Sequence, residues 1–255
     1  MHLKFLWFWM CCLPLCGIGA DVGPHELAEI YNQQVDRHME VPFLEISRYA
    51  DLSETALNVA GVSPHQEYVV VVDRNPNTQV VLVMWRSAHG DYQLVGASPV
   101  STGQHGRFDH FVTPLGVFVH RPANRDFRAE GTYNENGIRG YGLKGMRVYD
   151  FGWQMTPRGW GHGHVSQMRL QMHATDPVFL EPRLGRAQSK GCIRIPASLN
   201  RLIDVYGVID AEYELAVQQG QKFAVLLPHR KPVVDAGRFL VVVDSMRTKR
   251  PSWSP

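Results

Sequence analysis

Cysteine is scarce in this chain, and after residue 16 it occurs once. Three of the four cysteines, Cys11, Cys12 and Cys16, lie in an apolar N-terminal run, and the fourth is Cys192. If that run is removed on export, Cys192 has no partner for an intramolecular disulfide. A lone cysteine is often a small buried hydrophobe, but a free thiol outside the cytosol is open to oxidation. Its retention therefore favours a chemical role for Cys192.

A second long apolar run is also missing. The run at 5–16 follows Lys4 and is too short, and too interrupted by Pro14, for a membrane span. Residues 17–20 then offer a cleavage site of the signal-peptidase kind. We therefore predict that residues 1–20 are a signal peptide and that the protein is exported, with the periplasm as its destination. Contact with a membrane is expected only through the cleaved signal.

An excess of either charge is absent as well. The chain has 26 Lys and Arg against 24 Asp and Glu, a formal net charge of +2. This near-neutrality gives no reason to expect a nucleic-acid partner. Internal repeats and low-complexity tracts are missing, no cofactor is expected, and the length after the signal suits one ample domain.

Apolar periodicity predicts a β-rich mixed α/β fold. The predicted elements are helices at 25–39 and 53–60, strands at 68–72, 80–85, 92–95, 116–119 and 165–172, helices at 196–206 and 210–219, and strands at 222–227 and 239–243. Residues 120–163, rich in Gly, Arg and aromatic residues, are expected to be irregular. The predicted organisation is a helical N-terminal extension at 21–66, a domain at 67–228 with an insert at 120–163, and a C-terminal strand and tail at 229–255.

The sequence around Cys192 suits nucleophilic catalysis. Lys190 and Arg194 flank the cysteine, and together with Gly191 they predict an accessible, electropositive loop that favours the thiolate. A glycine at that position also lets successive N–H groups converge on one oxyanion. Thiol catalysis needs a base as well, and His173, at the end of a predicted strand, is the best candidate.

Several motifs of this chain resemble the signature of L,D-transpeptidase (YkuD-like) catalytic domains. The family usually reads His-Gly-Thr, a spaced Gly, then Ser-His-Gly-Cys-Ile/Val-Arg. Here the corresponding residues are His173-Ala174-Thr175, Gly185 and Ser189-Lys190-Gly191-Cys192-Ile193-Arg194. The segments 101–103 (Ser-Thr-Gly) and 113–118 (Thr-Pro-Leu-Gly-Val-Phe) are similar to two further motifs of that family, and the resemblance covers roughly 67–228.

The resemblance implies a YkuD-like β-sandwich catalytic domain with flanking helices, acting on the tetrapeptide stems of peptidoglycan. It implies that Cys192 forms a thioester, that His173 is the base and that the backbone carbonyl of Ala174 orients the imidazole. Backbone N–H groups of Lys190, Gly191 and Cys192 would form the oxyanion hole. Further candidate substrate-binding residues are Arg194, Ser189, Arg186 and Trp160. The family also implies that a carbapenem acylates the thiol.

Two departures from the family pattern stand beside Cys192 and His173. Lys190 replaces a histidine that is variable in the family, and Ala174 replaces a glycine whose inferred role uses only the main chain. Neither change removes a group that the chemistry needs.

The acceptor of the thioester stays open: a second stem gives a cross-link, a protein gives attachment, and water gives an L,D-carboxypeptidase or endopeptidase. A zinc cell-wall peptidase is a rival hypothesis, with His162 and His164 as ligands, His173 nearby and Asp150 or Asp176 as a further ligand. A non-catalytic peptidoglycan-binding domain is the third alternative.

Overall fold

The computed structural model describes residues 22–254, so the predicted signal peptide lies outside the described residues. Within that range the chain forms two β-sheets and a few helices. Their bounds, in chain order, are α1 (Pro24–Gln34), α2 (Phe43–Val59), β1 (Glu67–Asp73), β2 (Val80–Arg86), β3 (Tyr92–Pro99), β4 (Gly116–Val119), β5 (Phe127–Arg128), β6 (Arg147–Pro157), β7 (Val165–His173), β8 (Ile193–Arg194), α3 (Ala197–Tyr206), α4 (Ala211–Gln218) and β9 (Phe239–Val243). None of the described helices combines the length and apolarity needed to cross a bilayer.

The first sheet has five strands in the order β3-β2-β1-β9-β4. β1 pairs antiparallel with β2 and parallel with β9, so the strand nearest the C-terminus lies inside the sheet rather than at its edge. All seven residues of β1 are buried, as expected for a strand that is covered on both faces. The second sheet has four strands in the order β5-β6-β7-β8.

The main core lies between the two sheets. Val70 and Val72 of β1 pack in one cluster with Leu170 and Met172 of β7. The opposite face of the first sheet, which carries Val71, is buried with residues of α2 in a second cluster. Because alternate residues of a strand point to opposite faces, the side chains at 171 and 173 lie on the outer face of the second sheet.

The structure confirms the β-rich mixed α/β class and corrects several boundaries. The helix predicted at 53–60 begins ten residues earlier, at Phe43, directly after Pro42. The helix predicted at 25–39 ends at Gln34, because the following chain pairs with β3 through a hydrogen bond from Met39 N to Ala97 O of 2.8 Å.

Two predictions of local structure are wrong. Residues 120–163 are not irregular throughout, since β6 is an eleven-residue strand. A bulge between Asp150 and Trp153, with Gly152 at φ +78°, interrupts its alternation and hides it from a pattern search. The strand predicted at 222–227 is absent. Those residues form turns instead, and the Phe223 ring packs edge-on against Tyr213 at 5.0 Å.

A fully buried charge cluster fixes the start of β6. Arg147 donates to both carboxylate oxygens of Asp210 at 2.7 and 2.9 Å, and its Nε donates to Asp126 at 2.8 Å. His120 contacts Asp126 Oδ2 through Nε2 and the Ile209 carbonyl through Nδ1, each at 2.9 Å. Both ring nitrogens therefore face acceptors, as in an imidazolium. Burial alone would lower the pKa of His120, but the charge and the hydrogen bond of Asp126, together with the charge of Asp210, outweigh it and raise that pKa.

Candidate active site

His173 ends β7, and Cys192 immediately precedes β8, the parallel neighbour of β7. β7 pairs with β8 in the register Met172 to Ile193 and His173 to Arg194, which places Cys192 next to Gln171, just before β8 begins. Paired residues of a sheet point to the same face. Gln171, His173, Cys192 and Arg194 therefore share the outer face of the second sheet, away from the main core.

A polar row crosses this face beside the thiol. Asp150 of β6 pairs with Gln171 of β7, and Gln171 Nε2 donates to Asp150 Oδ2 at 2.9 Å. Tyr141, from the loop before β6, donates its hydroxyl to Gln171 Oε1 at 3.0 Å. The Tyr141 ring also packs edge-on against the His173 ring, with centroids 4.7 Å apart. The row connects the loop to the strand that carries the predicted base.

His173 is held in one orientation and kept neutral. Its Nδ1 lies 2.5 Å from the Ala174 carbonyl oxygen, which can only accept, so Nδ1 carries the proton and Nε2 is left as the basic atom. Burial, helped by the charge of the nearby Arg194, lowers the pKa of His173 to about 4 against the opposing effect of the Ala174 bond. This is the orienting bond that the family resemblance implies.

The thiol of Cys192 is partly buried, which corrects the prediction of a loop that favours thiolate. Sγ lies 3.7 Å from the Arg169 carbonyl. Burial raises the pKa of Cys192, and this outweighs the lowering by the Gln171 backbone N–H and by Arg194. Both partners are therefore neutral at pH 7. The sulfhydryl needs a base during attack, which a neutral imidazole supplies.

The nucleophile loop leaves no room for a side chain at Gly191. Its φ is +126°, and an added Cβ would lie 2.7 Å from Met168 Sδ. Thr113 braces the same loop, since its hydroxyl donates to the Gly191 carbonyl and accepts from Gly103 N, both at 2.8 Å. At Gly103 an added Cβ would lie 2.0 Å from the Phe111 carbonyl oxygen. The upstream motifs at 101–103 and 113–118 thus contact the cysteine loop directly.

Backbone bonds complete this contact. Ser101 and Arg194 exchange two hydrogen bonds, of 3.0 and 2.9 Å, and Ser189 N donates to the Thr102 carbonyl at 2.9 Å. The four motif segments are separated in sequence but meet around Cys192: 101–103, 113–118, 173–175 and 189–194.

The three backbone N–H groups predicted to form the oxyanion hole differ in whether they already donate a hydrogen bond within the protein. Gly191 N donates to Ser189 Oγ at 3.0 Å, and the same hydroxyl donates to the Cys192 carbonyl at 2.5 Å. The Gly191 N–H is therefore engaged, whereas the Lys190 and Cys192 amides have no acceptor within the part of the chain that is described. Ser189, predicted to bind substrate, shapes the turn of the loop here.

The other predicted substrate residues are spread around this loop. The Arg194 Nη1 makes one long bond, 3.4 Å to the Gln188 carbonyl. Trp160 packs edge-on against Phe111 at 5.1 Å, and Phe111 N donates to the Lys190 carbonyl at 3.1 Å. Trp160 therefore supports the segment behind the loop.

The geometry of the zinc hypothesis is not found. His164 precedes β7 and His173 ends it, so at about 3.3 Å per residue the two lie roughly 30 Å apart. His162 and His164 lie close together, with ring centroids 6.0 Å apart. Across residues 22–254, however, no three His, Cys, Asp or Glu side chains are grouped as metal ligands. The expectation that His173 lies near this pair is wrong.

Sequence reasoning missed Tyr141 and Gln171, and it considered Asp150 only as a zinc ligand. Tyr141 lies in a glycine-rich loop far from the motifs, and only the strand register places Gln171 between Cys192 and Asp150. The signal available in the sequence was the position of Gln171, two residues before the base and hence on the same face of a predicted strand.

No family model and no curated protein sequence matches this chain. Among solved structures, the chain is similar to a point mutant of the helical cell shape determining protein Pgp2 from Campylobacter jejuni, at 15% identity and a TM-score of 0.36. The match covers 81% of this chain and 58% of that chain. A similarity of this size adds no argument about the site, which rests on the geometry above.

Proposed function

We propose that this protein is a cysteine-dependent L,D-transpeptidase that acts on the tetrapeptide stems of peptidoglycan. The observation that supports the proposal is the pairing of β7 with β8, in which Cys192 lies next to Gln171, two residues before a buried neutral His173 that the Ala174 carbonyl orients. The meeting of all four motif segments around this loop supports the family resemblance. Export through residues 1–20 to the periplasm is part of the proposal, since the substrate lies there.

Acylation follows from the protonation states of the pair. His173 Nε2 takes the sulfhydryl proton of Cys192 as Sγ attacks the carbonyl of the diamino acid that precedes the terminal D-alanine. The developing oxyanion accepts from the N–H groups of Lys190 and Cys192, with Gly191 joining if its bond to Ser189 opens. Collapse breaks the C–N bond, Nε2 returns its proton to the leaving amine, and a thioester remains.

The acceptor amine then replaces the leaving amine. It loses a proton to His173 as it attacks the thioester, so it must approach on the side of the imidazole. Tyr141, which packs against His173, lines a cavity of about 510 Å³. Phe127, Tyr133 and Ile138 also line it. We assign the acceptor, either a second stem or a protein, to this cavity.

Removing side chains from the loop that builds this wall tests the assignment. Replacing Thr132 and Tyr133, which line this cavity, with glycine should change the ratio of cross-linked dimers to tripeptides more than it changes the rate of acylation. Acylation depends on Cys192 and His173, which the loop does not supply. Equal loss of acylation and cross-linking would refute the assignment of the acceptor.

The proposed function itself is tested with purified peptidoglycan rich in tetrapeptide stems. The protein without residues 1–20 should release D-alanine and form L,D-linked dimers or protein-linked stems, identified by mass spectrometry. His173→Ala should lower turnover by about two to four orders of magnitude. His162→Ala, which removes an exposed histidine outside the site, is the matched control and should leave turnover unchanged.

The product set separates the alternatives. Tripeptides alone, with no dimers and no protein-linked stems, would show an L,D-carboxypeptidase and contradict transpeptidation. Loss of turnover in His162→Ala together with metal-dependent activity would favour the zinc hypothesis. Binding of stems without any turnover would indicate a non-catalytic domain.

A further inference from the structure

A second cavity, of about 450 Å³, adjoins the cysteine loop. It shares Asn134, Ile138 and Gly140 with the cavity assigned to the acceptor, so the segment 134–140 forms a wall common to both. Lys190 and Arg194, each two residues from Cys192, lie in its lining. A molecule bound in this cavity therefore contacts the loop that carries Cys192.

The lining of this cavity is strongly positive. Arg107 and Arg183 join Lys190 and Arg194 there, and no aspartate or glutamate is among the lining residues. Within residues 22–254, no carboxylate lies within 4 Å of a nitrogen of Arg107, Arg183 or Arg194, although ion pairs hold other arginines of this chain. Three guanidinium groups thus share one cavity without an internal counter-charge.

The remaining charges at this cavity do not neutralise it. Lys190 contacts Asp109 at 2.5 Å, but both side chains are more than half exposed, so this pair contributes little. His110 also lines the cavity, and burial together with the charges of Arg107 and Lys190 lowers its pKa, which leaves it neutral. Burial likewise lowers the pKa of Arg194, because its charge is only partly solvated.

We propose that this cavity binds the carboxylates of the donor peptide, through Arg107 and Arg183 together with Arg194, and so selects stems whose carboxylates are free rather than amidated. The inference deepens the proposed function and rests on it for the identity of the peptide. Guanidinium groups suit this task because they bind carboxylates bidentately. A tetrapeptide stem offers the α-carboxylate of its γ-linked glutamate, the carboxylate of its terminal D-alanine and, where the diamino acid is a dicarboxylic one, a distal carboxylate.

The charge distribution also assigns the two cavities to different peptides. The acceptor cavity combines aromatic and aliphatic side chains with one arginine and one glutamate, whereas this cavity has three arginines, one lysine and no carboxylate. The leaving amine and the incoming amine both exchange a proton with His173, so both occupy the acceptor side of the segment 134–140. We therefore place the acyl part of the donor on the opposite side of that segment. The positive cavity lies on that side, where it holds the donor while acceptors exchange.

Binding by a variant that cannot turn over tests the proposal. In a Cys192→Ala background, calorimetry should compare a tetrapeptide with free carboxylates with the same peptide amidated at the glutamate α-carboxylate and at the distal carboxylate of the diamino acid. Arg107→Gln and Arg183→Gln should each weaken binding of the free peptide about tenfold, the scale of a charge-assisted hydrogen bond. Neither change should weaken binding of the amidated peptide further.

Arg121→Gln is the matched control, because Arg121 is exposed and follows β4 in the first sheet. Equal affinity of the two peptides, or no effect of either cavity arginine, would overturn the proposal. The proposed function can fail separately: arginine-dependent binding without any thioester in the unmodified protein would refute transpeptidation and leave the subsite standing. Thioester formation that is unchanged by both Arg107→Gln and Arg183→Gln would refute the subsite and leave transpeptidation standing.

Discussion

Removing the ring of Tyr141 should raise the pKa of His173 and move the acid limit of catalysis to higher pH. The Tyr141 ring packs against the imidazole at 4.7 Å, and burial is the largest cause of the low pKa of His173. Tyr141→Ala admits water to the imidazole, whereas Tyr141→Phe keeps the ring and loses only the hydroxyl that binds Gln171.

The size of the effect follows from the fraction of neutral base. With a pKa of about 4, roughly 90% of His173 is neutral at pH 5, whereas at an ordinary pKa of about 6.5 only about 3% is neutral. A fully rehydrated His173 in Tyr141→Ala should therefore lose up to about thirtyfold of the acylation rate at pH 5, and very little at pH 8.

The assay is the rate of thioester formation between pH 4 and 8 for the unmodified protein and both variants. An NMR titration of the His173 ring measures the pKa directly. The unmodified protein and Tyr141→Phe should share an acid midpoint near 4. A midpoint near 6.5 in the unmodified protein, or identical profiles for the two variants, would refute this account of the base.

Two further predictions concern stability. Thr113→Val leaves the Gly103 N–H and the Gly191 carbonyl without their shared partner, so unfolding free energy should fall by about 1–3 kcal/mol, while Thr113→Ser keeps both bonds. His120→Gln should lower the free energy of unfolding most at low pH. Because the pKa of His120 is raised in the folded protein, the imidazolium stabilises the fold fully below the pKa of the unfolded state. That stabilisation is lost as pH rises through the pKa of the folded state. Melting temperatures of each variant and of the unmodified protein, measured between pH 5 and 9, check both predictions. A Thr113→Ser variant as unstable as Thr113→Val would contradict the first prediction. A loss of stability in His120→Gln that grows as pH rises would contradict the second.

The sequence indicated most of the longer strands and the proposed catalytic pair because those signals are local. The β-branched runs predicted the middle of β1 and β2, and the motif glycine at 191 proved to have a positive φ and no room for a Cβ. β6 was not predicted because Gly152 and the adjacent bulge interrupt the alternation of apolar and polar residues along the strand. The apolar run at 222–227 looked like a strand, yet it packs against Tyr213 of α4.

What could not be predicted depends on contacts between distant segments. The cations next to Cys192 suggested a thiolate, but burial outweighs them, and burial is a property of the packed loop. Likewise Arg183 follows the motif base closely in sequence, whereas Arg107 joins the same cavity only through the contact of the 101–113 segment with the cysteine loop.

The central claim is that Cys192 is the nucleophile, and acylation by a carbapenem tests it most directly. Intact-protein mass spectrometry, followed by peptide mapping, should find one adduct, on Cys192, in the protein without residues 1–20. Cys192→Ser should show none, and His173→Ala should acylate far more slowly. The same adduct on Cys192→Ser, or an adduct mapped to another residue, would contradict the claim.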